Sequence, residues 1–359
     1  MDKCFLIILL ENNDKIPVMC CCSIHGKSLR PDTIQASATI ALDIDPFLKD
    51  ETGVQLFDAL YLLIAEQQEN CKKKKKCDCV SISLPGIIQN NEEIIMSSRL
   101  GIRKPICAAD ILQKKLRCDN LPIFLFHDTE ALLAGEIMAT SVLSKEGRSL
   151  VYIFVDEGIG CKIMIDGNIY TGNGSAGALS RLIMQPDGVY YPDLRAFGSL
   201  EVQVCRPWIS RRLVEVFDSE KGKDMPVYGT EKRKSQFRKT LEAVAEDKVE
   251  NWSKISYESI TMGINDKDPI ATRVISTAAR HLGLAMSTII ALINPETIIL
   301  GGSMVTRVPL FVNFGIHCAR QFTWPMAWNN TKIIVSNQDR HTIQVNGSAS
   351  LSMNRITTK

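Results

Sequence analysis

The stretch that most limits the architecture of this chain runs from Ala271 to Gly302. Apolar residues recur at helical spacing from Ala271 to Ile293, Asn294-Pro295 stops the helix, and Thr297–Leu300 reads as a strand closed by Gly301-Gly302. A long apolar-periodic helix delivered straight into a short apolar strand is an α/β connection. The rest of the chain repeats the alternation. Cys4–Leu10 and Val18–Ile24 flank a polar turn as a β-hairpin, and His25–Leu29 reads as the next turn. Phe57–Gln67 has helical spacing, Val80–Leu84 is a strand ended by Pro85-Gly86, and Ile123–Phe126 is a strand followed by a helix over Thr129–Leu143. A second hairpin joins Leu150–Val155 to Cys161–Ile165 through Gly158 and Gly160, with Asp166-Gly167 as a two-residue turn beyond it. Trp208–Asp268 is charged and helical. Hairpins that open each half, with helices between strands, predict an α/β protein with mixed sheets and flanking helices.

With 359 residues, 45% of them hydrophobic, the chain makes two domains or one large one. A formal net charge of +2 gives no global attraction to nucleic acid or to a membrane surface. The apolar run Cys4–Leu10 is too short to span a bilayer and reads as a buried strand. Twelve scattered cysteines, three of them consecutive at Cys20, Cys21 and Cys22, do not form a disulfide framework and point to a reducing cytoplasm. Cys71–Cys79, with the Lys72–Lys76 run inside it, lacks the paired knuckles of a structural zinc site and reads as a solvated loop.

Asp128 is the foremost chemical candidate. It follows a strand and precedes a helix, so its carboxylate either faces a crevice as a general base or caps the helix. Gly158 and Gly160 offer backbone N–H groups to a phosphate, or simply make a tight turn. Gly301-Gly302 permits close approach of a flat ligand, or a sharp strand-to-helix turn.

Six segments in a fixed order resemble the ROK family of sugar kinases and sugar-responsive repressors. They are Ser81–Gln89, His127–Glu136, Val155–Gly188, Phe197–Glu201, Ile293–Ser303 and Asn346–Met353. The resemblance implies a two-lobed actin-like ATPase (ribonuclease H-like) fold. It divides the chain into an N-terminal lobe over 1–127, with a C-terminal helix at about 344–356 packing back on it, and a C-terminal lobe over 128–343. Carried over position by position, it makes Asp128 the catalytic base and Glu201 the sugar-binding acid. His127 stands where the family has Asn, and Arg99 where it has a sugar-contacting Asn. The family's first phosphate turn, D-x-G-G-T, falls on Glu11–Lys15. Its second, G-T-G-I-G-A-G, reads Asp156-Glu157-Gly158-Ile159-Gly160-Cys161-Lys162, with two added carboxylates. The sugar-gripping E-x-G-H reads Ala178-Leu179-Ser180-Arg181, and the family's zinc cysteines fall on Pro192, Leu194 and Ser199 with its histidine on Arg181. No zinc is expected there.

These departures imply a catalytically degenerate member, a pseudokinase acting as a regulatory or ligand- or partner-binding protein with no cofactor. One alternative is a divergent ATP-dependent kinase of a hexose or N-acetylhexosamine, with Asp128 as base, Glu201 on the sugar and Glu11 assisting Mg²⁺; another is a sugar-sensing regulator without its own winged helix. The first hairpin begins by about residue 4, and the basic segment Gly229–Lys239 is short, so direct DNA binding is not expected. The expected ligands are a sugar or a small acidic molecule, Arg99 and Arg181 either admitting the acid or pairing with Asp128, Glu201 or other acids of the chain. A homodimer is expected, and no membrane association.

Overall fold

A computed structural model describes residues 3–10, 18–24, 34–41, 45–72, 77–89, 92–117, 121–140, 149–192, 195–220, 235–246 and 254–357. The chain divides into two compact units. One comprises Met1–Gly147, Ile169–Ala176 and Gln338–Lys359, and the other Arg148–Asn168 and Gly177–Asn337.

The first unit opens with β1 (Lys3–Leu9), which pairs antiparallel with β2 (Val18–Ile24); β2 pairs antiparallel with β3 (Ile34–Ala41), with a bulge between Cys20 and Cys22. Helix α1 (Val54–Lys72) leads to β4 (Cys79–Leu84), a short hairpin of β5 (Ile87–Gln89) and β6 (Glu93–Met96), α2 (Ala108–Leu116), β7 (Ile123–His127) and α3 (Asp128–Ala139). The five-stranded sheet has the order β3-β2-β1-β4-β7, with β1, β4 and β7 parallel. The unbroken apolar run of β1 has a direct cause: both of its faces are covered. Leu6, Ile8 and Leu10 join Val80, Ile82, Ile123 and Leu125 beneath α1 and α2. Phe5, Ile7 and Leu9 join Phe124 and Phe126 against Val345 and Ala349, which lie near the C-terminus.

The second unit begins with β8 (Leu150–Val155) and β9 (Ile159–Ile165), followed by β10 (Asn168–Tyr170), whose last two residues count with the first unit, and by the small hairpin β11 (Tyr190–Tyr191) and β12 (Ala196–Phe197). Then come α4 (Leu200–Val204), α5 (Arg206–Glu220), α6 (Gln236–Glu246), α7 (Tyr257–Asn265), α8 (Pro269–Ile293), β13 (Thr297–Gly301), α9 (Ser303–Arg307), α10 (Pro309–Phe322), α11 (Pro325–Asn329) and β14 (Lys332–Val335). The sheet order is β10-β9-β8-β13-β14, with β8 antiparallel to β9 and parallel to β13. Asp166 and Gly167 both have positive φ, as the tight turn after β9 requires. Helix α8 is long and apolar enough to cross a membrane by length and composition, yet it is the core helix of this unit, with Ile270, Ala271, Val274, Ile275, Ala278, Leu282 and Ile290 buried. Asp268 caps it by accepting the Ile270 and Ala271 amides at 2.9 and 3.3 Å, Pro269 occupies its first turn, and Asn294 ends it at φ 49°.

The last helix, α12 (Arg340–Thr357), returns to the first unit and packs on α3, β4 and β1. Its backbone lies against that of α3. A Cβ at Gly347 would sit 1.7 Å from the Ala131 carbonyl oxygen, and one at Gly135 1.9 Å from that of Ile343. This contact places α3 in the first unit, so the division falls at residue 147 and not at 127 as the sequence suggested. The turn proposed at His25–Leu29, the first phosphate turn at Glu11–Lys15 and most of the lysine run lie outside the described residues.

Candidate functional site

In the first unit the chemistry collects at the carboxyl ends of the parallel strands β4 and β7, the edge where open α/β sheets expose strand-end side chains. His127 ends β7 and is itself the cap of α3, with φ −64° and ψ 139°; Asp128 is the first helical residue and not the cap the sequence allowed. The Thr129 amide lies 2.7 Å from Asp128 Oδ1 and 3.2 Å from His127 Nδ1, while that nitrogen lies 2.8 Å from Asp128 Oδ1 and 2.7 Å from Thr129 Oγ1. Nδ1 cannot accept from the amide and also donate to the carboxylate. The shorter amide contact belongs to Asp128, which assigns the Nδ1 proton to the bond with the carboxylate. Burial alone would push the Asp128 carboxyl up, but His127, Arg340 and the Thr129 amide outweigh it and hold the group well below the usual carboxylate range. The residue is therefore ionised at neutral pH, the form that accepts a proton.

Arg99 occupies the turn after β6. Ser97 ties that turn to the end of β4 by donating to the Pro85 carbonyl at 2.6 Å and accepting the Leu100 amide at 3.3 Å. Gly101, at φ +72°, closes the turn where a Cβ would lie 2.1 Å from the Leu48 carbonyl oxygen. Because Leu84 pairs with His127 in the sheet, the Arg99 turn and Asp128 are anchored to neighbouring strand ends.

In the second unit the turn between β8 and β9 carries Gly158, with the Asp156 amide donating to its carbonyl at 2.9 Å, whereas Gly160 lies within β9 and pairs with Phe154 of β8. Its two carboxylates are already engaged. Asp156 is buried and accepts hydrogen bonds from the Tyr257 hydroxyl and, at 3.2 Å, from Ser303 Oγ. Both oxygens of Glu157 are held by one edge of the Arg206 guanidinium, Oε1 by Nε and Oε2, at 2.7 Å, by Nη2. Arg206 also donates to the Ile255 carbonyl at 3.1 Å and lies over the Tyr257 ring at 5.5 Å. Burial would lower the Arg206 pKa, but Glu157, Tyr257 and Asp156 raise it, and burial beside Asp156 pushes the Tyr257 phenol far up. Arg206, Tyr257 and Ser303 carry no local sequence signal, because they stand 49, 101 and 147 residues from their partners.

Gly301 and Gly302 end β13. A Cβ at Gly301 would lie 2.5 Å from the Tyr152 hydroxyl oxygen; Gly302, at φ +97°, would place one 2.3 Å from the Val155 carbonyl oxygen. Of the two readings the sequence left open, the strand-to-helix turn accounts for both glycines.

Glu201 lies half-buried in the first turn of α4, after Ser199. Arg181 is exposed at the end of a short 3₁₀ turn over Leu179–Arg181. Of the positions aligned with the zinc ligands, Leu194 is outside the described residues, while Arg181, Pro192 and Ser199 supply no soft donor. This hairpin is held by backbone pairing and by rings. Gly198 donates to Val189 at 2.8 Å and accepts from Met184 at 2.9 Å, Tyr190 packs on Phe197 at 4.8 Å, and Tyr191 meets Trp208 edge-on at 5.2 Å. Among the described residues no cluster of three His, Cys, Asp or Glu could hold a metal ion, and Cys4, Cys77, Cys79, Cys107, Cys161, Cys205 and Cys318 are free thiols. Asp128, His127 and Arg99 thus belong to the first unit, and Glu201 with the four glycines to the second.

Paired α/β units of this topology define the class of actin-like ATPase folds. Within that class the model of the ROK family matches residues 48–191 and 236–355, and the chain belongs to the ROK family. It is 25% identical over 236 residues to a glucokinase of Halalkalibacterium halodurans, covering 64% of this chain and 63% of that protein. It is 22% identical over 235 residues to the xylose repressor of Bacillus spizizenii, covering 65% and 50%. The chain thus spans about half to three fifths of the length of these curated relatives. The crystal structure of a ROK-family transcriptional regulator, a homologue of the E. coli MLC protein, superposes with a TM-score of 0.73 at 20% identity, over 99% of this chain and 81% of that one.

Proposed function

We propose that this chain is a catalytically silent ROK protein, a pseudokinase that acts in the cytoplasm by binding a sugar or a small acidic ligand and a protein partner, as a homodimer. The observation that carries the reading is the internal neutralisation of the β8–β9 turn. Where the resemblance places a phosphate loop, Arg206 is spent on Glu157, and the Tyr257 and Ser303 hydroxyls are spent on Asp156. The buried Asp156 carboxylate opposes an incoming polyphosphate, at about 1–4 kcal/mol per like-charge contact at a few ångströms. The residues of this turn do not fit ATP.

The sugar side supports ligand binding. Asp128 is ionised and ordered at a strand end, and Glu201 is half-buried in a helix first turn. Named relatives include both a glucokinase and sugar-responsive repressors, so a sensor role and a kinase role share one ancestry. Direct DNA contact is not part of the proposal. Of the basic segment considered for it, Gly229–Lys234 is outside the described residues and Arg238 is engaged with Asp268 at 2.6 Å.

Thermal melting of the purified protein tests the reading. A ligand at 100 times its Kd stabilises by about 2.7 kcal/mol, a shift readily seen. The expected result is no shift with Mg-ATP and a saturable shift with a plain or N-acetylated hexose. A saturable Mg-ATP shift refutes the assignment and makes a divergent sugar kinase the correct one.

A further inference from the structure

Away from the strand ends, the second unit carries a groove of about 690 Å³ lined by Met184, Gln185, Asp187, Gly188, Val189, Arg212, Glu215, Thr277 and His281. That volume suits a small organic ligand. Helices α5 and α8 form its wall, and the loop before β11 forms its rim. Its polar groups are incompletely satisfied. Arg212 spends one N–H on Gln203 Oε1, at 3.1 Å, and no second hydrogen bond of its guanidinium is found among the described residues, although the nearby Glu215 carboxylate attracts it. Gln203 is buried behind it, and its Nε2 has no partner there. His281 Nδ1 is likewise buried without a partner. Glu215 attracts Arg212 electrostatically but makes its hydrogen bond to Arg211 Nε, at 2.7 Å.

Unsatisfied buried donors are costly unless a ligand meets them, at roughly 1–3 kcal/mol each. A partly desolvated guanidinium with N–H groups not yet hydrogen-bonded, beside an imidazole on the same lining, recognises an oxyanion. Asp187 and Glu215, on the same lining, accept from hydroxyl groups. We infer that this groove binds a hydroxylated organic anion, its carboxylate or phosphate held by Arg212 and His281 and its hydroxyls turned to Glu215 and Asp187. Burial with Arg212 and Arg280 nearby lowers the His281 pKa, so the ring is neutral when the groove is empty, and a bound anion raises it. The site is separate from the strand-end residues of the proposed function and stands or falls without them.

The experiment is histidine-selective ¹⁵N NMR of the full chain, tractable with five histidines. The probes are gluconate as carboxylate, sorbitol 6-phosphate as phosphate, and sorbitol as neutral control; their open chains separate this site from a pyranose site. The expected result is a saturable shift of the His281 resonances, with an upward-moved titration, for one or both anions and not for sorbitol. Arg212→Gln is expected to weaken it at least tenfold at unchanged melting temperature; a preference for one anion identifies the source of the charge. No saturable His281 shift with either anion, an equal shift with sorbitol, or undiminished binding by Arg212→Gln overturns the inference. Should that variant lose its fold, Thr277→Tyr fills the groove from an exposed helix position and is read the same way.

Discussion

Replacing Arg206 by methionine isolates the network that neutralises the β8–β9 turn. The substitution keeps the aliphatic stem and removes the guanidinium, leaving the Glu157 carboxylate beside Asp156 without its cation. Breaking a fully buried pair costs about 3–5 kcal/mol, whereas a fully exposed one is worth about 0–1 kcal/mol. Here the side chains are 13% and 23% exposed, so the case falls between these limits, nearer the buried one. The lost bond to Ile255 adds to the deficit. The expected destabilisation is about 2–3 kcal/mol, or roughly 5–10 °C for a folding unit of this size. All four tryptophans lie in the second unit, so urea unfolding followed by tryptophan fluorescence reports on the unit that contains the pair. A double-mutant cycle with Glu157→Gln then separates the pair from the lost packing, and its coupling is expected at about 1.5–2.5 kcal/mol. A coupling below about 0.5 kcal/mol means that the guanidinium does not hold Glu157, and the argument that this turn is neutralised from within collapses.

Two further outcomes follow from the first unit. Gly347→Ala drives a methyl into the Ala131 carbonyl and destabilises the unit by about 1–3 kcal/mol or more, measured by circular dichroism during denaturation; a neutral effect refutes the backbone contact between α3 and α12. The folded Asp128 pKa lies below its unfolded value, so this group's contribution is present above about pH 4 and is lost as pH falls through the folded value. Asp128→Asn is expected to flatten the acid limb of stability between about pH 5 and pH 2 relative to wild type; parallel limbs refute the environment described for it.

Local pattern makes much of the fold legible. The limits of β8 and the course of α8 are written in runs of residues whose apolar spacing, caps and stops are neighbours in sequence. Strand β3 is not, because IQASATIA mixes polar and small residues without a clean alternation. The end of the first unit is misplaced for a similar reason. Gly135 and Gly347 declare their contact only when both helices are folded, and nothing local marks them as partners. The site shows the same division. Asp128 stands out by its place between a strand and a helix, whereas its cap, His127, hides beside the commoner Asp. Arg206, Tyr257 and Ser303 are invisible, since a carboxylate in a glycine turn announces a charge but not the distant group that answers it.

The return of α12 to the first unit has a consequence for synthesis. Residues 148–337 of the second unit leave the ribosome as one nearly continuous block, and its core can close before the chain is finished. The first unit is made first yet completed last. Until residues 340–357 emerge, one face of its sheet, with Phe5, Ile7, Leu9 and Phe126, lacks its cover, and so does the glycine-marked side of α3. A nascent chain stalled at residue 337 is therefore expected to be cut by protease within residues 1–140 and protected within the second unit; equal protection of both would show that the early half closes without its last helix. The unit that is translated first waits, exposed to chaperones and proteases, for a segment translated only after the other unit is whole.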